Sequence, residues 1–252
     1  MKAKLLIFIF LSLLIQTIPL FAQAENPAVI FQKANTSYQN GDYTGAISAY
    51  ESLIDKNWNR SNVYYNLGNA YFKEKKLGLA ILNYERAKRQ SPRDRDIAAN
   101  LAYVRGLLEY RIEDKRNWYL KAGGAALAFF TIREIGIISL SLGFLFWMTW
   151  GISLYFQKNK PWGSVRKTLL IVTVGSFSLW MIKSLHDAAF QEAVALKSQA
   201  AVRYGPSHKD QVAFKLGEGI KVQLSNKAGE WRQVVLPNGE TGWMNQEDMG
   251  II

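Results

Sequence analysis

No cysteine occurs among the 252 residues. That excludes disulfides, thiol catalysis, thiolate zinc sites, iron–sulfur clusters and a lipid anchor on an N-terminal thiol. Histidine is nearly as scarce: His186 and His208 stand in different segments, so a histidine-based metal centre or acid–base network has nothing to be built from. No segment pairs a nucleophile with a base or offers a phosphate-cradling loop. These absences argue against an enzyme, and no cofactor or metal is expected. Acidic residues are the minority, leaving a net charge of +11, yet the excess does not form a nucleic-acid-binding face. Residues 25–117 hold 15 Lys and Arg against 11 Asp and Glu, and residues 199–252 hold 6 against 6. The remaining excess lies in the leader and beside apolar runs, where charge reports membrane topology.

A register of small and aromatic residues is present instead. Residues 61–94 place Tyr64, Leu67, Gly68 and Tyr71, then Ala80, Tyr84, Ala87 and Pro92. The register recurs upstream, where Ala34, Ala46, Tyr50 and Leu53 repeat the positions of Gly68, Ala80, Tyr84 and Ala87 at one constant offset. This spacing resembles the tetratricopeptide repeat, whose unit is a pair of antiparallel helices. Gly68, Ala80 and Ala46 let the helices approach, while Tyr64, Leu67, Tyr71 and Tyr84 fill the seam. The units are 27–60 and 61–94, within a domain of residues 25–117. The first is degenerate, with Lys33, Ser37 and Trp58 at the positions of Leu67, Tyr71 and Pro92. Pro92 stops the second unit, and a capping helix over 95–112 aligns Ile97, Leu101, Val104 and Leu108 on one face. The resemblance implies a partner-binding groove built from the first helix of each unit. Asn35 and Asn69 share one position there, with Phe31, Tyr38, Tyr65, Phe72 and Lys73 around them. In repeats that grip C-terminal carboxylates, Asn at this position bonds the peptide backbone and nearby basic residues bind the carboxylate. Phe31 and Ala99 replace such basic residues here, which argues against a full carboxylate clamp and leaves an extended segment or a helix as occupants.

Residues 1–24 read as a signal peptide: Lys2 and Lys4, an apolar run from Leu5 to Ile15, then Ala22-Gln23-Ala24 before Glu25. An uncleaved anchor would leave the following domain on the same side. Residues 135–156 form 22 positions without a charge, enough at ~1.5 Å per residue to cross a ~30 Å hydrocarbon layer. A second transmembrane helix is expected over 168–185, with Lys167 and Lys183 snorkelling at its ends. The intervening loop, 157–167, carries Lys158, Lys160, Arg166 and Lys167 and no acid, so it is cytoplasmic by the positive-inside rule. Both soluble domains then face outward, which in a bacterium is the periplasmic side of the inner membrane. Residues Ala122 to Ile132 are apolar but too short to span, and can be interfacial, re-entrant or an extension of the first span.

The C-terminal stretch alternates short strands with Gly, Pro and Asn turns, as in a small barrel. Val202-Arg203-Tyr204-Gly205-Pro206-Ser207, Leu216-Gly217-Glu218-Gly219, Trp231 and Gly242-Trp243 resemble the bacterial SH3-type (SH3b) domain over 198–252. That family binds peptides or cell-wall glycan–peptide material, often through exposed aromatics, which points to Tyr204, Trp231 and Trp243 as ligand contacts.

The fold class expected is therefore multidomain: an all-α repeat solenoid, a two-helix transmembrane hairpin and a small all-β barrel. This order of segments, with Asn100-Leu101-Ala102-Tyr103 after Pro92-Arg93-Asp94, resembles the BatE proteins of the Bacteroides aerotolerance operon across the whole mature chain. The resemblance implies an envelope complex with other Bat-type proteins, some carrying metal-binding von Willebrand-type domains, linked to a MoxR-type ATPase and to oxidative or envelope stress. The function expected is a non-enzymatic membrane scaffold that gathers envelope proteins. The rival is a cell-wall sensor whose barrel binds peptidoglycan. The lipid bilayer is a partner on either reading, and nucleic acid on neither.

Overall fold

The computed structural model describes residues 26–109, 112–155 and 162–252. The expected signal peptide and the first part of the expected cytoplasmic loop, 157–161, lie outside the described residues.

Five helices build the repeat unit: α1 (Pro27–Gln39), α2 (Tyr43–Asp55), α3 (Ser61–Lys73), α4 (Leu77–Gln90) and α5 (Arg95–Gly106). Local chemistry sets their ends. The carboxylate of Asp42 accepts from Gly45 N at 2.9 Å to cap α2, and Asp94 caps α5 by accepting from Asp96 N and Ile97 N. The turn inside each unit carries one residue in the left-handed region, Gly41 (φ 82°) in the first and Lys75 (φ 61°) in the second. These positions are one repeat apart, so the period extends to backbone conformation. Ala46, Tyr50, Leu53, Leu67, Ala80 and Tyr84 are buried in one core. A Cβ on Gly68 would lie 2.9 Å from the Tyr84 ring, which is why only glycine lets α3 and α4 close together here. The capping helix stops at Gly106, short of the expected 112. Leaving the helix there lets Leu108 turn toward the C-terminal domain, where a Cβ on Gly219 would meet it at 3.0 Å.

Helix α6 (Trp118–Phe129) follows, and then two long helices pack as an antiparallel pair, α7 (Ile132–Tyr155) and α8 (Trp162–Ala189). Both are long and apolar enough to cross a membrane, and little of either is buried by protein. Gly136 of α7 faces Trp180 of α8, where a Cβ would lie 3.1 Å from the indole nitrogen. Helix α8 exceeds the expected 168–185 at both ends. Residues Trp162 to Lys167 contain no breaker beyond Gly163, and Arg166 folds back over the Trp150 ring at 5.5 Å while donating to Ser153 Oγ at 2.8 Å.

The C-terminal domain is a seven-stranded antiparallel sheet: β1 (Gln191–Ala195), β2 (Ala200–Arg203), β3 (Val212–Leu216), β4 (Lys221–Ala228), β5 (Trp231–Val235), β6 (Thr241–Asn245) and β7 (Met249–Ile251), in the order β3-β2-β6-β5-β4-β1-β7. It begins at Gln191, ahead of the expected boundary at 198. Strand β1 pairs with both β4 and β7. Its sequence, Gln-Glu-Ala-Val-Ala, continues the helix-forming run of α8 and carries no strand signal of its own.

The two soluble parts touch. The period of two along β1 sends Ala193 and Ala195 into the barrel core and Val194 into the repeat core beside Ile81 and Leu82. All three are fully buried because both faces of the strand are covered. One stripe of α4 makes the seam: Gly78 N donates to Glu218 Oε2 at 3.1 Å, Arg86 donates twice to the Ile251 carbonyl at 3.0 and 2.7 Å, and Arg89 donates to the Ile252 carbonyl at 2.8 Å. Glu85, buried in the seam, pairs with Arg105 of α5 and with Lys221 of β4 at 3.4 Å, and Lys221 also pairs with Glu192 at 2.7 Å.

Candidate partner-binding site

The first helices of the repeat unit, α1 and α3, and the capping helix α5 lie side by side, and their shared surface holds the expected groove residues. Asn35 Oδ1 accepts from the Tyr50 hydroxyl at 2.6 Å and from Asn66 Nδ2 at 3.0 Å. Asn69 Oδ1 accepts from the Tyr84 hydroxyl at 2.6 Å and from Asn100 Nδ2 at 3.1 Å. Each triad joins both helices of a unit to the first helix of the next, and every member of the first triad has its counterpart one repeat further on in the second. With both acceptor bonds directed at Oδ1, each half-buried amide turns its Nδ2 donors away from the triad. Two –NH2 groups one repeat apart can then donate to carbonyl oxygens of a segment laid across the helices.

The aromatic residues divide between packing and surface. Phe31 is half-buried and meets Tyr50 and Trp58 edge-on at 6.0 and 5.7 Å. Tyr38 meets Tyr43 at 5.3 Å. Tyr65 lies 6.0 Å from Tyr84, and its hydroxyl accepts from Asn100 Nδ2 at 3.0 Å. Phe72 meets Tyr103 at 5.8 Å, and Lys73 is exposed at the end of α3. Asn66, Asn100 and Tyr103 belong to this surface as well and are absent from the set expected from sequence, although Asn66 and Asn100 share one repeat position and Tyr103 shares that of Asn69. Tyr103 is 60% exposed and extends the aromatic strip onto α5. Burial raises the Tyr50 phenol to about 12 and pushes those of Tyr84 and Tyr71 upward too, so all three act as neutral donors.

A recess of about 330 Å3 at the start of α3 is lined by Arg60, Ser61, Asn62, Tyr65, Ser91, Asp94 and Ile97 and so meets the groove at Tyr65. A larger one, about 540 Å3, lies along α1 between Ala28 and Asn40 and contains none of the expected site residues. The hydrogen-bonded ladder identifies the candidate surface better than cavity size does.

On the barrel the three expected aromatics separate. Tyr204 is 72% exposed, and Trp243 is half-buried on β6, paired across the sheet with Arg203 and Gln233. Trp231 is not a surface residue: it is 8% exposed and packs edge-on against His208 at 4.9 Å. It opens β5 on the face of Gln233 and Trp243, opposite that of Val234, and is buried there with His208 against its ring, so it packs rather than facing a ligand.

Known families and folds match these parts. Tetratricopeptide repeat families match residues 34–75 and 61–94, and the family described as bacterial SH3 domain matches residues 197–249. The chain thus carries tetratricopeptide repeats and a bacterial SH3 domain, modules that are typically non-catalytic and serve interaction. Among solved structures, the first tetratricopeptide domain of Spaghetti (RPAP3), bound to the HSP90 peptide SRMEEVD, is similar at 22% identity with a TM-score of 0.34, covering 35% of this chain and 71% of that one. No curated protein matches the chain.

Proposed function

We propose that this protein is a membrane-anchored, non-catalytic scaffold that gathers envelope proteins on the outer face of a bacterial inner membrane. The observation that carries the proposal is the seam between α4 and the β1–β7 edge of the barrel. The repeats precede the apolar hairpin and the barrel follows it, so two modules in contact require an even number of crossings. This agrees with two spans over 132–155 and 162–189, and the basic residues of 157–167 put the shared face outside. The repeats present the Asn35 and Asn69 donors with Tyr65, Phe72 and Tyr103, a surface suited to a protein segment and lacking the basic residues of a carboxylate clamp. The order of segments shared with BatE proteins supports other Bat-type proteins as the partners and a role in aerotolerance or envelope stress.

The test is photo-crosslinking in intact cells from a probe replacing Phe72 or Tyr103. The expected result is a discrete adduct with an envelope protein that weakens when Asn35 and Asn69 are both changed to Ala. Absence of adducts from both positions contradicts the scaffold. The exposed ring of Tyr204 favours a second reading, peptidoglycan binding by the barrel. Co-sedimentation of the detergent-solubilised chain with purified peptidoglycan, lost in a Tyr204→Ala, Trp243→Ala variant, would establish it.

A further inference from the structure

Helix α6 is apolar except at Lys121, and protein covers it only near its second end. None of its 12 residues is buried, Trp118 is 79% exposed, and nothing lies within 4 Å of a Cβ placed on Gly123 or Gly124. An isolated helix of this length with adjacent glycines is unstable in water, and so apolar a surface calls for an apolar surrounding. At ~18 Å it is too short to cross ~30 Å of hydrocarbon.

Both of its ends are tied to the soluble side. At the first, Lys121 Nζ donates to the Asp114 carbonyl at 2.7 Å, and that linker is held to the barrel by Lys115 N on the Pro237 carbonyl at 3.2 Å. At the second, the guanidinium of Arg93, from the repeat unit, lies 5.4 and 5.8 Å from the rings of Phe129 and Phe130 and pairs with Glu134 at the entry to α7. A helix fixed at both ends to groups on one side cannot descend into the layer; it must run along it.

We infer that α6 lies flat in the lipid interface of the outer leaflet, its body at the boundary of headgroups and acyl chains, and forms a third bilayer contact that sets how the soluble unit sits over the membrane. The inference rests on the reading of α7 and α8 as spans. Tryptophan and tyrosine at its start suit that layer, and the one charge, Lys121, reaches out of it.

The cysteine-free chain allows a direct test with the intact protein. Nitroxides are placed at Ala122→Cys, Ala125→Cys, Ala126→Cys and Ala128→Cys, with Leu145→Cys in α7 as the reference, in vesicles of phosphatidylethanolamine and phosphatidylglycerol. Accessibility to oxygen and to a water-soluble nickel chelate reports depth. The expected result is a shallow depth that oscillates with the helical period and has no net trend, beside a deep Leu145 site. A steady descent of about 9 Å from 122 to 128, or water exposure at all four sites with Leu145 deep, overturns the inference alone. Water exposure at Leu145 overturns the spanning reading and this one with it.

Discussion

The hydroxyl of Tyr84 donates to Asn69 Oδ1 at 2.6 Å, tying the second helix of its unit to the candidate binding surface on the first. Because Tyr84 is 1% exposed, removing its acceptor strands a buried hydroxyl, whereas removing the hydroxyl leaves Asn69 bonded to Asn100. Asn69→Ala should therefore destabilise the chain by about 1–3 kcal/mol and Tyr84→Phe by only about 1 kcal/mol. Thermal unfolding in detergent checks the order; equal losses would mean that the bond serves no more than packing.

Burial of Tyr50, Tyr71 and Tyr84 gives stability a dependence on alkaline pH. Each folded-state value is raised above the ordinary 10, that of Tyr50 to about 12. The protonated folded form is thus fully favoured below about pH 10. Above it the unfolded chain loses protons that the folded chain keeps, and stability falls by up to about 1.4 kcal/mol per pH unit for each group. Unfolding midpoints should decline from about pH 10 to 12, and absorbance at the tyrosinate band should show a fraction of phenols titrating only with unfolding.

Glu85 and Lys221 should be energetically coupled across the seam. Glu85→Gln weakens the pairing to Arg105 and Lys221, and Lys221→Met removes one cation that faces both Glu85 and Glu192. A double-mutant cycle should return an interaction of about 1 kcal/mol, larger than an exposed pair provides because Glu85 is buried. Additive losses would mean that the modules touch without this pair holding them.

The barrel tryptophans should separate stability from binding. Trp231→Ala removes a buried ring and should cost about 3–5 kcal/mol. Tyr204→Ala should leave the unfolding midpoint nearly unchanged, since its ring is mostly exposed. Any barrel ligand should respond to Tyr204 and Trp243 in a folded protein, which circular dichroism and binding measured on the same samples will distinguish.

What could be read from the chain was what short spacing encodes. The repeat register placed Gly68 against Tyr84, and Gly, Pro and Asn turns marked the C-terminal stretch as short strands of a barrel. The seam was hidden because its partners are far apart, with Glu85 and Lys221 separated by 136 positions, and because Ile81 and Leu82 look like ordinary helix residues until β1 covers them. Strand β1 was hidden by composition, since Ala193-Val194-Ala195 prolongs an apolar helix. Trp231 and Trp243 lie on one face of the sheet and differ in burial because His208 packs on the Trp231 ring, a contact that sequence spacing does not reveal. Asn66 and Asn100 carried a legible repeat signal, but their role appears only when adjacent helices bring their amides to Asn35 and Asn69.

One measurement bears most directly on the proposal that the two modules are joined on the outer face of the membrane. Single cysteines replacing Lys56 in the repeats, Lys227 in the barrel and Lys160 between the long helices are treated in intact spheroplasts with a membrane-impermeant maleimide. Labelling at 56 and 227, with 160 reacting only after permeabilisation, is the result expected here. Protection of either module, or labelling of 160 from outside, would contradict it.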